Sequence, residues 1–229
     1  MTRLLAALAA LALLPAACRA PAADSGTKPT IYLITALPLL FGEGFGLDMA
    51  TTDVIAGLEK GATIRPVDLP SQVPAGAALL MAQPRALPAE ELVALDRWVR
   101  AGGKLALLAD PLLEWPSERP LGDRLRPPVQ YADTGLLQHW GLRLDAPDQR
   151  GLVRAQDKAG TLTAISPGRL VKTGGSCAVT TDGIVATCAL GKGRVTIIAD
   201  ADWIDAPRVA EIAGTRVDPA PRLLAALTN

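Results

Sequence analysis

The stretch from Ala77 to Asp110 restricts the fold of this chain more than any other. A short apolar run, residues 77–82, comes first. Pro88 follows, with Glu90 and Glu91 just behind it, then Leu92, Leu95 and Val99 at helical spacing beside Trp98. Arg97 and Arg100 come next, then Gly102-Gly103, then a second apolar run, residues 104–109. Proline is tolerated in a first helical turn, and acids there and bases in the last turn complement the helix dipole. A glycine pair ends a helix. Two continuous apolar runs joined by a helix predict two buried parallel strands with a right-handed crossover. Both faces of such a sheet need cover, so the rest of the chain must supply it.

The remaining sequence reads consistently with this. Residues 30–37 form another apolar run suited to a buried strand, followed by the glycine-rich Phe41-Gly42-Glu43-Gly44-Phe45-Gly46. A helix is predicted over 51–60, ending at Gly61, and a strand over 63–69. Residues 112–132 are rich in Pro and Arg and read as an excursion over the surface. A short helix is predicted over 133–140, with Asp133 as cap and Gly141 as stop. Short strands are expected near 142–144, 152–155 and 162–165, a longer one over 194–199, and a helix that includes 221–227. The fold class expected is α/β: a mainly parallel, flavodoxin-like sheet flanked by helices, with an antiparallel hairpin toward the C-terminal part.

Asp182-Gly183 is a preferred two-residue hairpin turn. Counting outward, Thr181 faces Ile184, Val179 faces Ala186, and Cys177 faces Cys188. Alternation puts Cys177, Val179, Ile184 and Cys188 on one face. In an oxidising compartment Cys177 and Cys188 are expected to pair.

The N-terminus indicates such a compartment. Arg3 precedes an unbroken Leu/Ala run over 4–14, followed by Pro15-Ala16-Ala17-Cys18. A membrane span needs roughly 20 apolar residues, so this run is too short and fits a secretory signal peptide. Residues 1–17 are therefore expected to be a signal peptide, 18–29 an Ala/Pro-rich tether, and 30–229 one domain. Two processing routes fit. In one, Cys18 becomes the lipidated first residue, although Pro15 stands where an aliphatic residue is usual. In the other, cleavage after Ala22 or Ala23 releases a soluble protein. The third cysteine favours lipidation, because an odd cysteine in an exported chain needs an explanation.

Lys+Arg and Asp+Glu both number 23 among 229 residues, so the formal charge is zero and nothing points to nucleic acid. The chain shows no zinc-ligand spacing, no Walker loop, no G-x-S-x-G elbow and no internal repeat, and no cofactor is expected. Ligands of open α/β sheets bind beyond the carboxyl ends of the strands. The residues there are Glu43 with Phe41 and Phe45, then Gln83 and Arg85, then Asp110, then Asp200, Asp202 and Trp203. Together they form a candidate crevice of four carboxylates and one guanidinium, and clustered carboxylates perturb one another or hold a cation. Each also has a structural reading: Asp110 before Pro111 as a strand-end turn, Asp200 and Asp202 as caps, Arg85 as an ion-pair partner. The single histidine, His139, reads as a surface or structural residue.

The residues quoted resemble a known family. Leu79-Leu80-Met81-Ala82-Gln83-Pro84, then Leu87 through Leu92, then Leu95 through Gly103, then Leu107-Leu108-Ala109-Asp110-Pro111 are similar to the class I glutamine amidotransferase-like domain. The closer similarity is to its non-catalytic version in auxiliary proteins of ABC-type transport systems, including those linked to gliding motility. Gly191 through Trp203 is similar to that domain's late strand and loop. Active members place a cysteine where this chain has Asp110. They place a His-x-Glu pair where it has Asp200-Ala201-Asp202. The resemblance thus implies the fold and a membrane-associated accessory role, and argues against glutamine hydrolysis. The expectation is a non-enzymatic lipoprotein on the periplasmic side of the envelope. It would be membrane-anchored through Cys18 and would present the crevice to a transporter, another envelope protein or an unidentified small ligand. The competing expectation is a periplasmic hydrolase using the carboxylate cluster.

Overall fold

A computed structural model describes residues 28–43 and 51–228. The signal peptide, Cys18, most of the tether, and Gly44, Phe45 and Gly46 lie outside the described residues.

Four parallel strands come from the first half of the chain: β1 (Thr30–Thr35), β2 (Thr63–Pro66), β3 (Ala78–Ala82) and β4 (Lys104–Leu108). β1 to β2 passes through helix α1 (Asp53–Glu59), and β3 to β4 through helix α2 (Ala89–Arg100). Pro88 is the residue before the first turn of α2 rather than within it, in extended conformation. The chain then leaves the sheet and returns much later as β11 (Gly193–Ile198), parallel to β4 in register from Arg194 opposite Lys104 to Ile198 opposite Leu108. Antiparallel β10 (Val185–Leu190) and β9 (Cys177–Val179) close that edge. The sheet order is β2-β1-β3-β4-β11-β10-β9. It is the mostly parallel α/β sheet with an antiparallel hairpin that the sequence predicts.

Strand alternation divides the core into two layers. Ala106 and Leu108 of β4 face one side, with Val54, Ile55 and Leu58 of α1 and with Leu223 and Leu227 of the last helix, α5 (Ala220–Thr228). Leu105 and Leu107 face the other, with Leu95, Trp98 and Val99 of α2 and with Leu136 and Leu137 of the short helix α3 (Leu136–His139). Each face also receives a two-stranded ribbon. β6 (Leu152–Asp157) with β7 (Gly160–Ile165) puts Ala155, Leu162 and Ala164 into the first layer. β5 (Leu142–Asp145) with β8 (Arg169–Lys172) puts Leu142 and Leu170 into the second.

Several boundaries differ from the sequence reading. β2 ends at Pro66, and Pro70–Gln72 forms a 3-10 turn, because neither proline can supply a ladder donor. β8 and helix α4 (Ala206–Ala213) were not expected; α4 is capped by Asp205, whose Oδ1 accepts the Arg208 N–H. Residues 112–132 hold no strand or helix, as expected of an excursion.

The Cys177–Cys188 disulfide joins β9 to β10 in the expected register, with Val179 opposite Ala186. The turn itself is longer. The Thr180 N–H donates to Val185 O, and Gly183, at φ 76°, donates its N–H to Thr180 O. Asp182 Oδ1 accepts the Ile184 N–H, an Asx contact that rotates Ile184 out of the strand alternation. Ile184 therefore packs in the first layer while both cysteines pack in the second, and does not share their face.

Candidate functional site

β4 and β11 lie side by side and point the same way, so the residues that follow them meet. Asp110, Asp200 and Asp202 each bring a carboxylate oxygen within 4.8 Å of the others, and all three are fully buried. The residues that the resemblance aligns with the catalytic cysteine and the His-x-Glu pair therefore converge in space, as acids.

Every one of their six oxygens accepts a hydrogen bond. Asp110 Oδ1 takes the Leu112 N–H at 2.8 Å and Oδ2 the Ala201 N–H at 2.9 Å. Asp200 Oδ1 takes the Trp203 N–H at 2.9 Å and Oδ2 the Ile165 N–H at 2.6 Å. Asp202 Oδ2 takes the Glu114 N–H at 2.7 Å, and Oδ1 the Arg208 guanidinium at 3.1 Å. Five of the six donors are main-chain N–H groups: those of Leu112, Glu114 and Ala201 in loops, Trp203 in a 3-10 turn and Ile165 at the end of β7. Buried donors of that kind must be satisfied, and a carboxylate can satisfy two at once.

Burial works against this on the electrostatic side. Desolvation lifts Asp110 to about 6, although the Ala201 and Leu112 N–H groups pull it back. It lifts Asp202 to about 7, against the Glu114 N–H and the Arg208 charge. Asp200 goes well above the usual carboxylate range, through burial first and then the charges of Asp110 and Asp202. Three carboxylates this close and dry cannot all ionise at neutral pH without a compensating charge. The same positions could hold a divalent cation through hard oxygen ligands.

Gln83 belongs to this cluster without titrating. Its Oε1 accepts the Asp110 N–H, and its Nε2 donates to the carbonyls of Asp110 and Pro128. These bonds hold it at a φ of 44°, where a non-glycine residue is strained. Trp203 is buried directly after the acids, its main chain bonded to Asp200.

Glu43 and Arg85 do not join them. Glu43 Oε2 accepts the Glu118 N–H, and Arg85 donates to the carbonyls of Arg124 and Arg126. Both brace the 112–132 excursion rather than the cluster. Arg85 is thus a carbonyl clasp and not an ion-pair partner. The expected crevice of four acids is instead a buried cluster of three, because the excursion folds over it. The N–H groups of Leu112, Glu114 and Tyr131 bond to Asp110 Oδ1, Asp202 Oδ2 and Asp110 O. His139 sits apart, 3.4 Å from Asp96, which also accepts the Trp140 indole N–H.

Sequence reasoning missed Glu114, Ser166 and Arg208. Arg208 donates to Glu114 O, Glu114 Oε2 and Asp202 Oδ1, and Ser166 Oγ donates to Glu114 Oε1. Asp205-Ala206-Pro207 is a helix-start signal that could have placed Arg208 beside Asp202. Nothing in the sequence marks Glu114 or Ser166.

The architecture defines a class: an α/β sheet protein whose strand-end loops are tied by buried acids. The chain belongs to the ABC_transp_aux family, described as an ABC-type uncharacterized transport system, whose profile matches residues 28–149. That description is of the family as a whole. Among solved structures, it is similar to the exo-β-1,4-mannosidase Op5Man5 from Opitutaceae bacterium strain TAV5, with TM-score 0.51 and 15% identity over 88% of this chain. This chain spans 37% of that one, and the likeness concerns the fold alone. The cytoplasmic protein STM1381 from Salmonella typhimurium LT2 gives TM-score 0.49 and 11% identity, over 87% of this chain and 100% of its own. No curated protein sequence matches the chain. Among the described residues, no helix is long and apolar enough to cross a membrane.

Proposed function

We propose that this protein serves its transport system without catalysing a reaction, as an envelope lipoprotein held on the periplasmic side through Cys18. The observation that carries the non-catalytic part is the occupancy of the acid cluster. All six carboxylate oxygens already accept hydrogen bonds, and all three side chains are buried. A general acid or base must reach the proton it moves, and these groups reach the protein's own loops. Two features support the envelope part. The N-terminal sequence has the pattern of a signal peptide followed by Cys18, and Cys177 and Cys188 are joined by a disulfide, which persists in oxidising compartments.

The test is purification of the full-length protein from detergent-solubilised membranes of its native host, with intact-mass and co-purification readouts. The reading expects a mass that starts at Cys18 with acyl chains attached, and transporter subunits in the eluate. A soluble product starting near Ala23, with hydrolytic activity abolished by Asp202→Asn, would replace it with the hydrolase reading.

A further inference from the structure

A second site lies away from the acid cluster. A cavity of about 370 Å³ is walled by the β6–β7 ribbon, the loop between α4 and α5, and Trp203. That is within the roughly 300–1,000 Å³ range of small-molecule sites. Arg154, Thr161, Trp203, Thr215, Arg216 and Arg222 line it, together with Asp218.

The available groups of these residues are nearly all donors. Arg216 has no hydrogen-bond or ion-pair partner among the described residues, and Arg154 makes only a 3.4 Å contact to Ala213 O. Arg222 is already neutralised, by a two-pronged bond to Asp157. Asp218 Oδ1 is in use as well, accepting the Ala220 N–H at the start of α5. The Thr161 oxygen accepts from Gln156, which leaves its own hydrogen free to donate.

Trp203 adds an independent observation. It forms part of this wall, is 4% exposed, and its indole Nε1–H is buried with no acceptor among the described residues. Tryptophan N–H groups in protein interiors normally find a partner, and a buried one without any calls for an explanation. Two guanidinium groups without an ion-pair partner, hydroxyl donors and an unpartnered indole N–H in one wall are complementary to a ligand rich in acceptors. Guanidinium groups bind carboxylate and phosphate oxygens with directed, charge-assisted hydrogen bonds.

We infer that this cavity binds a small organic anion, bearing a carboxylate or phosphate group on a body no larger than a sugar acid. Arg216 and Arg154 hold the charged group, and the Trp203 indole N–H donates a hydrogen bond to a ligand oxygen. This inference stands apart from the lipoprotein reading, since it holds for an anchored or a soluble protein.

The test is titration of the ¹⁵N-labelled full-length protein, in a phosphate-free, low-chloride buffer, with inorganic phosphate, glucuronate and glucose. Binding is followed by calorimetry and by the Trp203 indole resonance, assigned with Trp203→Phe. The inference expects saturable binding of phosphate or glucuronate, a shifted Trp203 resonance and no response to glucose. Arg216→Gln and Arg154→Gln should each weaken binding by about tenfold or more, as expected for loss of a charge-assisted contact. The tighter of the two anions assigns the ligand as a phosphate or a carboxylate. Circular dichroism of each variant confirms that it folds. Absence of saturable binding by both anions, or full affinity in both arginine variants, would overturn the inference.

Discussion

Asp110 reaches across from the end of β4 to the loop after β11, where its Oδ2 accepts the Ala201 main-chain N–H at 2.9 Å. Two segments 91 residues apart in sequence are thus tied by one carboxylate. Asp200 and Asp202 repeat the device toward Ile165 and Glu114. The acids hold the loops at the carboxyl end of the sheet, and their protonation therefore bears on folding.

The sign of that effect follows from the shifts. Asp110 and Asp202 sit at about 6 and about 7 in the fold, above the ordinary 3.8 they regain on unfolding. Asp200 is raised as well. A raised folded value means that the fold binds protons the unfolded chain has released. Their contribution is complete below about pH 4 and is lost as pH rises through about 6 and 7. Thermal unfolding should show Tm higher at pH 5 than at pH 8 by at least about 4 °C, since about 1 kcal/mol moves Tm by roughly 2–4 °C in a chain of this size. In Asp202→Asn the slope between these pH values should flatten. A Tm that rises from pH 5 to pH 8 contradicts this account.

Removing a clamp should cost more than removing a brace. Asp200→Ala leaves the Ile165 and Trp203 N–H groups buried and unbonded, at about 1–3 kcal/mol each. Glu43→Ala removes an exposed contact to the Glu118 N–H, and should stay within about 1 kcal/mol. Urea unfolding of the two variants compares them directly; equal midpoints would show that the acid cluster is not a clamp.

The Cys177–Cys188 bond closes a short loop, with a sequence separation of 11. Chain-entropy reasoning limits its contribution to about 3 kcal/mol. The double variant Cys177→Ser with Cys188→Ser should lower stability by up to that amount and still fold, because the β10–β11 pairing and the second core layer remain. Reduction of the native protein should lower Tm in the same direction. An unchanged Tm on complete reduction would show that the crosslink contributes nothing.

Gly193 has a packing role. A Cβ there would run into the main-chain oxygens of Val99 and Gly103, where β11 starts against the end of α2. A main-chain clash cannot be relieved by a rotamer change, so Gly193→Ala should destabilise by about 1–3 kcal/mol, the usual range for overpacking. Gly42→Ala, with nothing within 4 Å of its Cβ, is the control and should be near neutral. Similar denaturation midpoints for the two would place the α2–β11 contact elsewhere.

Much of the fold was legible because it rests on local pattern. The run from Ala77 to Asp110 carries apolar strands, dipole-matched helix ends and a glycine stop, each a property of neighbouring residues. The hairpin register was legible too, since opposite positions follow from counting outward from a turn. Its turn type was not, because the Asp182 side chain bonds Ile184 and lengthens the loop. β8 was missed because four residues, Arg169 through Lys172, are too few for a clear alternation.

The candidate site divides the same way. By itself the sequence determined that acids follow β4 and β11, at the positions where the amidotransferase resemblance places a cysteine and a His-x-Glu pair. Only the tertiary structure decided which residues meet. Asp110 and Asp200 converge because β4 and β11 are adjacent and parallel, although they are far apart in the chain. Glu43 and Arg85 follow strands of the same sheet, yet turn to the excursion, whose main-chain groups offer them nearer partners. Whether the acids would be open or closed depended on where residues 112–132 fold back. Their unpaired N–H groups settle that by seeking the strongest buried acceptors within reach, the carboxylates of Asp110 and Asp202.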